Sequence, residues 1–201
     1  MADFLFEPEE NIEKKNMTWN IAGSFCYAFA SILLSFLVMR IAGDVAGGIF
    51  AFGFSTFGQQ MFTVAYFGIR PFQITDGSGE YSFGDYLRHR KLTSGFAVAI
   101  SAVYLAWTVF TGNYSAEKAM AVFLLAIYKI IDGFADVYES EFQRQGYLYL
   151  TGKSNTFRTI LSVCAFLAGL LLSVHKMSPE RSLLVACGAA AAAQAAGVIL
   201  F

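Results

Sequence analysis

The stretch "YKIIDGFADVYESEFQRQG" (residues 128–146) decides how this chain is read. It continues an apolar run, "MAVFLLAI" (120–127), that has the character of a membrane-spanning helix. Within it Lys129, Asp132, Asp136 and Glu139 follow one another at offsets of 3, 4 and 3. At about 100° per residue, those offsets stack all four on one helical face over nearly three turns. On a water-soluble helix such a stripe is an ordinary solvated face. In a bilayer it needs partners or a cavity.

The surrounding chain points to the bilayer. It has 201 residues, 56% hydrophobic and 14% charged, with a mean hydropathy of +0.52. Soluble domains carry about 25% charge. The apolar residues form continuous blocks near the length of about 20 residues that a helix needs to cross a membrane. Six such blocks are expected, at 18–40, 45–68, 92–112, 118–138, 156–175 and 182–201. Continuous rather than alternating hydrophobicity argues against a β-barrel. The expected fold is therefore an all-α polytopic membrane protein, a bundle of six transmembrane helices (18–201) behind a cytoplasmic N-terminal segment (1–17).

Other features narrow the function. The net charge of −1 gives no reason to expect a nucleic-acid partner. Cys26, Cys164 and Cys187 lie within apolar blocks and lack metal-ligand spacing, so they read as packing residues. No cofactor is indicated. With the N-terminus inside, the inner connections hold Lys14, Lys15, Arg70, Arg88, Arg90, Lys91, Arg144, Lys153 and Arg158. The outer ones hold Arg40, Lys118, Lys176 and Arg181, an asymmetry that favours a cytoplasmic N-terminus. Pro71 is expected to end the second span. Ser82 and Asp85 predict a capped helix start near Phe83. The basic group Arg88, His89, Arg90 and Lys91 is expected at the lipid headgroups.

A central Lys or Asp costs about 2.5–3.5 kcal/mol on insertion scales, while each Leu, Ile, Phe or Val returns about 0.3–0.6 kcal/mol. The nine such apolar side chains of residues 120–138 supply roughly 4 kcal/mol on that scale. Lys129 and Asp132 must then face other helices or water. One reading is a local Lys129–Asp132 ion pair that serves assembly; the other is a wet cavity or pathway, the default for an intramembrane ionisable group. The first span supports the cavity, with a polar stripe of Asn20, Ser24, Tyr27, Ser31 and Ser35. The second adds Ser55, Thr56, Gln59, Gln60 and Thr63.

"NMTWNIAGSFCYAFASILLSFLVMRIAGDVAGGIFAFGFSTFGQQMFTVAYFGIRPFQITD" (16–76) resembles the start of the polysaccharide-biosynthesis flippases of the multidrug/oligosaccharidyl-lipid/polysaccharide (MOP) exporter superfamily. The "WN…GS" entry to the first helix and the "GD…AG" turn into the second carry the likeness, together with the exit "EYSFGDYLRHR" and the ending "DVYESEFQRQGYLYLTGK". The resemblance implies one bundle of a two-bundle, alternating-access flippase for polyprenyl-pyrophosphate-linked oligosaccharide. Such a protein would reside in the cell membrane and serve surface-polysaccharide assembly. Its expected partners are the bilayer, the lipid-linked oligosaccharide, the assembly machinery and a missing C-terminal bundle or a second copy. The sixth block runs into Phe201 without a polar tail, which suggests the front portion of a longer transporter. Under this resemblance Lys129 suits the pyrophosphate. Asp132 and Asp136 could bind a coupling proton or sodium ion, or balance Lys129, while hydroxyls and amides of the first two helices suit sugars. A cation-coupled drug antiporter of the same superfamily is the alternative. A membrane-embedded lipid or glycosyl transferase is a third reading, and the two histidines, His89 and His175, on opposite sides argue against such an enzyme.

Overall fold

The computed structural model describes residues 12–200, which are helical apart from short connections. The elements are α1 (Ile12–Ala51), a π-helical turn (Phe52–Phe57), α2 (Gly58–Tyr66), α3 (Ile69–Thr75), α4 (Phe83–Phe110), α5 (Ala116–Arg144), α6 (Leu148–Ser173) and α7 (Pro179–Leu200). Four stretches are long and apolar enough to cross a membrane: Ile12–Thr75, Phe83–Phe110, Leu148–Ser173 and Pro179–Leu200. Most of the expected N-terminal segment, residues 1–11, lies outside the described residues.

The first stretch, 64 residues long, is not one straight rod. Gly43 has φ 85° and ψ 175°, a non-helical conformation inside α1 that suits glycine. Met39 and Gly47 would stand about 12 Å apart along a continuous helix at ~1.5 Å per residue. Instead a Cβ added to Gly47 would lie 3.0 Å from Met39 Cβ, so the chain doubles back at Gly43. The next interruption falls at Phe67 and Gly68, both left-handed. Pro71 therefore does not end the helix. It occupies the first turn of α3, where the missing N–H costs nothing. The start of α4 is as expected: Ser82 Oγ accepts from Asp85 N, and Ser82 N donates to Asp85 Oδ2 at 3.1 Å.

α5 is the central element, packed against α2, α3, α4, α6 and α7. It also carries the largest set of buried residues, Val122, Leu125, Ala126 and Val137 among them. α1 lies against α6 and α7. Small residues allow that approach: a Cβ on Gly23 would meet the Gly152 carbonyl oxygen at 2.9 Å, and one on Gly152 would collide with the Trp19 backbone. The outer surface is apolar. Phe25, Phe29, Ile32 and Phe36 on α1, and Phe96, Val103, Trp107 and Phe110 on α4, are all exposed. An apolar exterior this extensive suits lipid rather than water.

Candidate functional site

The charged face of α5 turns inward. Lys129, Asp136 and Glu139 are buried and Asp132 is half-buried. Each carboxylate meets cations or amides from other helices. Asp136 is bound by Arg70, which follows the Phe67–Gly68 bend, and by Arg90 Nη2 of α4 at 2.8 Å. Glu139 is bound by Arg158 of α6, with Arg70 Nη1 at 3.9 Å. Asp132 has Arg158 Nη2 at 3.4 Å and accepts from Gln194 Nε2 of α7 at 3.2 Å. Removing one partner from a buried pair costs about 3–5 kcal/mol, because it strands the other charge.

Lys129 takes a different set of neighbours. Its ammonium donates to Tyr27 Oη at 2.5 Å and Gln59 Oε1 at 3.3 Å, and lies 4.0 Å from the centre of the Phe54 ring. Phe54 belongs to the π-helical turn, a local widening of the helix often found at functional sites. Gly58 leaves room for the lysine stem, since a Cβ there would lie 3.0 Å from Lys129 Cγ. The local Lys129–Asp132 ion pair is not formed among the described residues. Aromatic and amide groups from the first two helical segments hold the ammonium, while Arg158 takes Asp132.

These groups border a polar cavity of about 220 Å³, lined by Tyr27, Gln59, Phe62, Arg70, Asp132, Asp136, Glu139, Asn155 and Arg158. At ~30 Å³ per water it holds about seven. Around it four cations (Lys129, Arg70, Arg90, Arg158) face three carboxylates (Asp132, Asp136, Glu139). Fully ionised, the cluster carries a surplus of one positive charge. Below it, at the end of α5, Glu141 and Arg144 pair with each other.

Of the expected site residues, Lys129, Asp132, Asp136, Tyr27 and Gln59 are brought together here. Asn20, Ser24 and Gln60 are exposed, Ser31 is half-buried, and none of the four lines the cavity. The reason is register: α1 buries Gly23, Leu34 and Val38, which leaves Asn20 and Ser24 on its open side. Ser55, Thr56, Gln59, Gln60 and Thr63 together form an exposed polar face, beside an otherwise apolar exterior.

Arg70, Arg90 and Arg158 complete the charged cluster, whereas the sequence places them among the charges of the inner connections. Arg90 in particular is wholly buried between helices rather than presented on the surface as an anchor would be. It donates to the Ala65 and Tyr66 carbonyls at the end of α2 as well as to Asp136. The signal that could have found them is charge balance. One ammonium and three carboxylates on a single face leave an excess of two negative charges, which only neighbouring helices can neutralise.

A larger hollow of about 730 Å³ opens beside the α3–α4 connection, near Phe67, Phe72, Tyr81 and Tyr86. Two of its carboxylates, Asp76 and Asp85, are engaged locally. Asp76 accepts from Glu80 N, Tyr81 N and Tyr86 Oη, and Asp85 caps α4 through Ser82. The Tyr81 N–H, followed by the Tyr86 hydroxyl, holds the Asp76 carboxyl below the usual carboxylate range. No family model, curated protein or solved structure matches the chain.

Proposed function

We propose that this chain is a transport bundle of a membrane flippase, moving a polyprenyl-pyrophosphate-linked oligosaccharide across the cell membrane for surface-polysaccharide assembly. The observation that carries the reading is the charged cavity, with room for about seven waters, set among helices whose exterior is otherwise apolar. Its surplus positive charge suits an anionic headgroup. The carboxylates already engage guanidiniums, which weakens the case for a cation-coupled drug antiporter.

Scale divides the work between two surfaces. Room for about seven waters accommodates a phosphate group but no sugar chain. The glycan would run along the exposed polar face of Ser55, Thr56, Gln59, Gln60 and Thr63. A second bundle or a second copy of this chain would then close that face from lipid. In this arrangement the membrane is crossed six times. The reversal at Gly43 divides the first stretch into two crossings, and α5 crosses despite its charges because they face inward. Both ends then lie in the cytoplasm.

The test is export. In cells lacking their own flippase, the complete reading frame should restore surface polysaccharide, and Lys129→Ala should lose most of that export while still inserting. Normal export with Lys129→Ala, or no export from the unaltered protein, would contradict the reading.

A further inference from the structure

The ion pairs around the cavity leave two cations incompletely used: Arg90 has one buried unpartnered donor, Nε, and Arg158 has two. Arg158 is 2% exposed, and its Nη2 serves both Glu139 and Asp132. Its Nε and Nη1 are buried with no hydrogen-bond partner, although the side chain forms part of the cavity wall. The arginine is firmly seated: a Cβ on Gly197 of α7 would come within 2.8 Å of Arg158 Cγ, so only glycine leaves room for its stem. A guanidinium offers five donors in a planar fork that matches carboxylate and phosphate oxygens. Here the two carboxylates share one end of that fork.

We propose that Asp132 and Glu139 hold Arg158 as internal stand-ins for a phosphate-type oxyanion, which displaces them on binding with uptake of a proton. The proposal rests on the transport reading and names how the same site is coupled.

Charge accounting gives the stoichiometry. α5 contributes Lys129 and its three carboxylates, α6 contributes Arg158, and α1 contributes the Tyr27 hydroxyl. Arg70 comes from the first turn of α3, Arg90 comes from α4, and α7 brings the neutral Gln194. With every group ionised the surplus is one positive charge. A singly charged anion is accepted without further change. A doubly charged one leaves an excess negative charge, which one proton on a released carboxylate cancels. Asp136 keeps both Arg70 and Arg90, so the proton goes to Asp132 or Glu139. A carboxylate that loses its guanidinium in a confined site favours its neutral form.

Because the bound state holds more protons, affinity rises as pH falls. One proton per binding event corresponds to about tenfold per pH unit while the released carboxylate would otherwise be ionised. The probe is sulfate, a doubly charged tetrahedral oxyanion that does not titrate near neutral pH. Titration calorimetry on the purified 201-residue chain, in buffers of different ionisation enthalpy, reads both affinity and proton uptake. The expected result is close to one proton taken up and about tenfold tighter binding at pH 6 than at pH 7. Arg158→Gln should abolish binding. Glu139→Gln should bind more tightly with less proton uptake, which decides the matter if Arg158→Gln fails to fold. Binding independent of pH, binding unchanged in Arg158→Gln, no binding at all, or a Glu139→Gln variant identical to the parent would overturn the proposal.

Two further arms identify the source of the phosphate. In nanodiscs, loss of sulfate binding with phosphatidylglycerol but not with phosphatidylcholine marks a lipid headgroup as the occupant. Equal binding in both marks a phosphate that reaches the cavity from water, and either result supports the Arg158 site. Failure of sulfate binding alongside Lys129-dependent export would sink this coupling and leave the transport reading standing. Normal sulfate binding without export would do the reverse.

Discussion

Arg90 Nη2 stands 2.8 Å from Asp136 Oδ2, and the other end of the same guanidinium reaches the Tyr66 carbonyl at 2.5 Å. One wholly buried side chain thus joins α4 to α5 and completes the end of α2. The arrangement pairs a buried cation with a carboxylate and caps a helix terminus with positive charge.

Arg90→Gln should therefore destabilise the bundle by about 3–5 kcal/mol, the penalty for stranding a buried partner. The Arg90→Gln/Asp136→Asn double variant should recover part of that loss. Denaturation in micelles, followed by circular dichroism, measures both. Two additive losses would show that the pair is not coupled.

The contact of α1 with α6 depends on glycine. Gly152→Ala should separate the two helices, because its methyl group would overlap the Trp19 backbone, at a cost of roughly 1–3 kcal/mol for overpacking. Gly48→Ala is the control, since nothing lies within 4 Å of its added Cβ. The same denaturation measurement should show Gly48→Ala unchanged or slightly stabilised by better helix propensity.

The α3–α4 connection should loosen in acid. Asp76 is held below the ordinary carboxylate range, chiefly by the Tyr81 N–H and then by the Tyr86 hydroxyl. A depressed carboxylate contributes stability that is present above its unfolded value of about 3.9 and lost as pH falls through the folded value. Protection of the Glu80 and Tyr81 amides, measured relative to their intrinsic exchange rates, should therefore fall at the acid end of that window. Asp76→Asn should show fast exchange without that acid dependence.

The reversal at Gly43 gives a topological prediction. In a background without the native cysteines, Asp44→Cys should react with impermeant thiol reagents only from outside the cell. Ser78→Cys, in the exposed α3–α4 connection, should react only from inside. Labelling of both from one side would contradict the fold-back as a membrane crossing.

Helical periodicity made the charged face of α5 legible from sequence, and that face does turn inward. Local chemistry also carried the start of α4, where Ser82 and Asp85 cap each other as their spacing implies. The partners were not legible, because ion pairing between helices depends on which faces pack together. Arg90 reads as a headgroup anchor until α4 is seen to cross the end of α2. The Asn20 and Ser24 stripe misled for a related reason. Its spacing marks a common face but does not say whether that face meets α6 or the open side. Pro71 misled because proline tolerates a first helical turn, and the interruption came from two left-handed residues upstream.

Transport through this bundle requires the α5 face to meet water inside the membrane. The direct measurement compares Asp132→Cys with Ile130→Cys, in native membranes and without Cys26, Cys164 and Cys187. Asp132 borders the polar cavity, whereas Ile130 is 4% exposed and packed in the apolar core. Small hydrophilic thiol reagents should label position 132 rapidly and position 130 hardly at all. Equal rates at the two positions, or no reaction at 132, would contradict a water-filled site on this face.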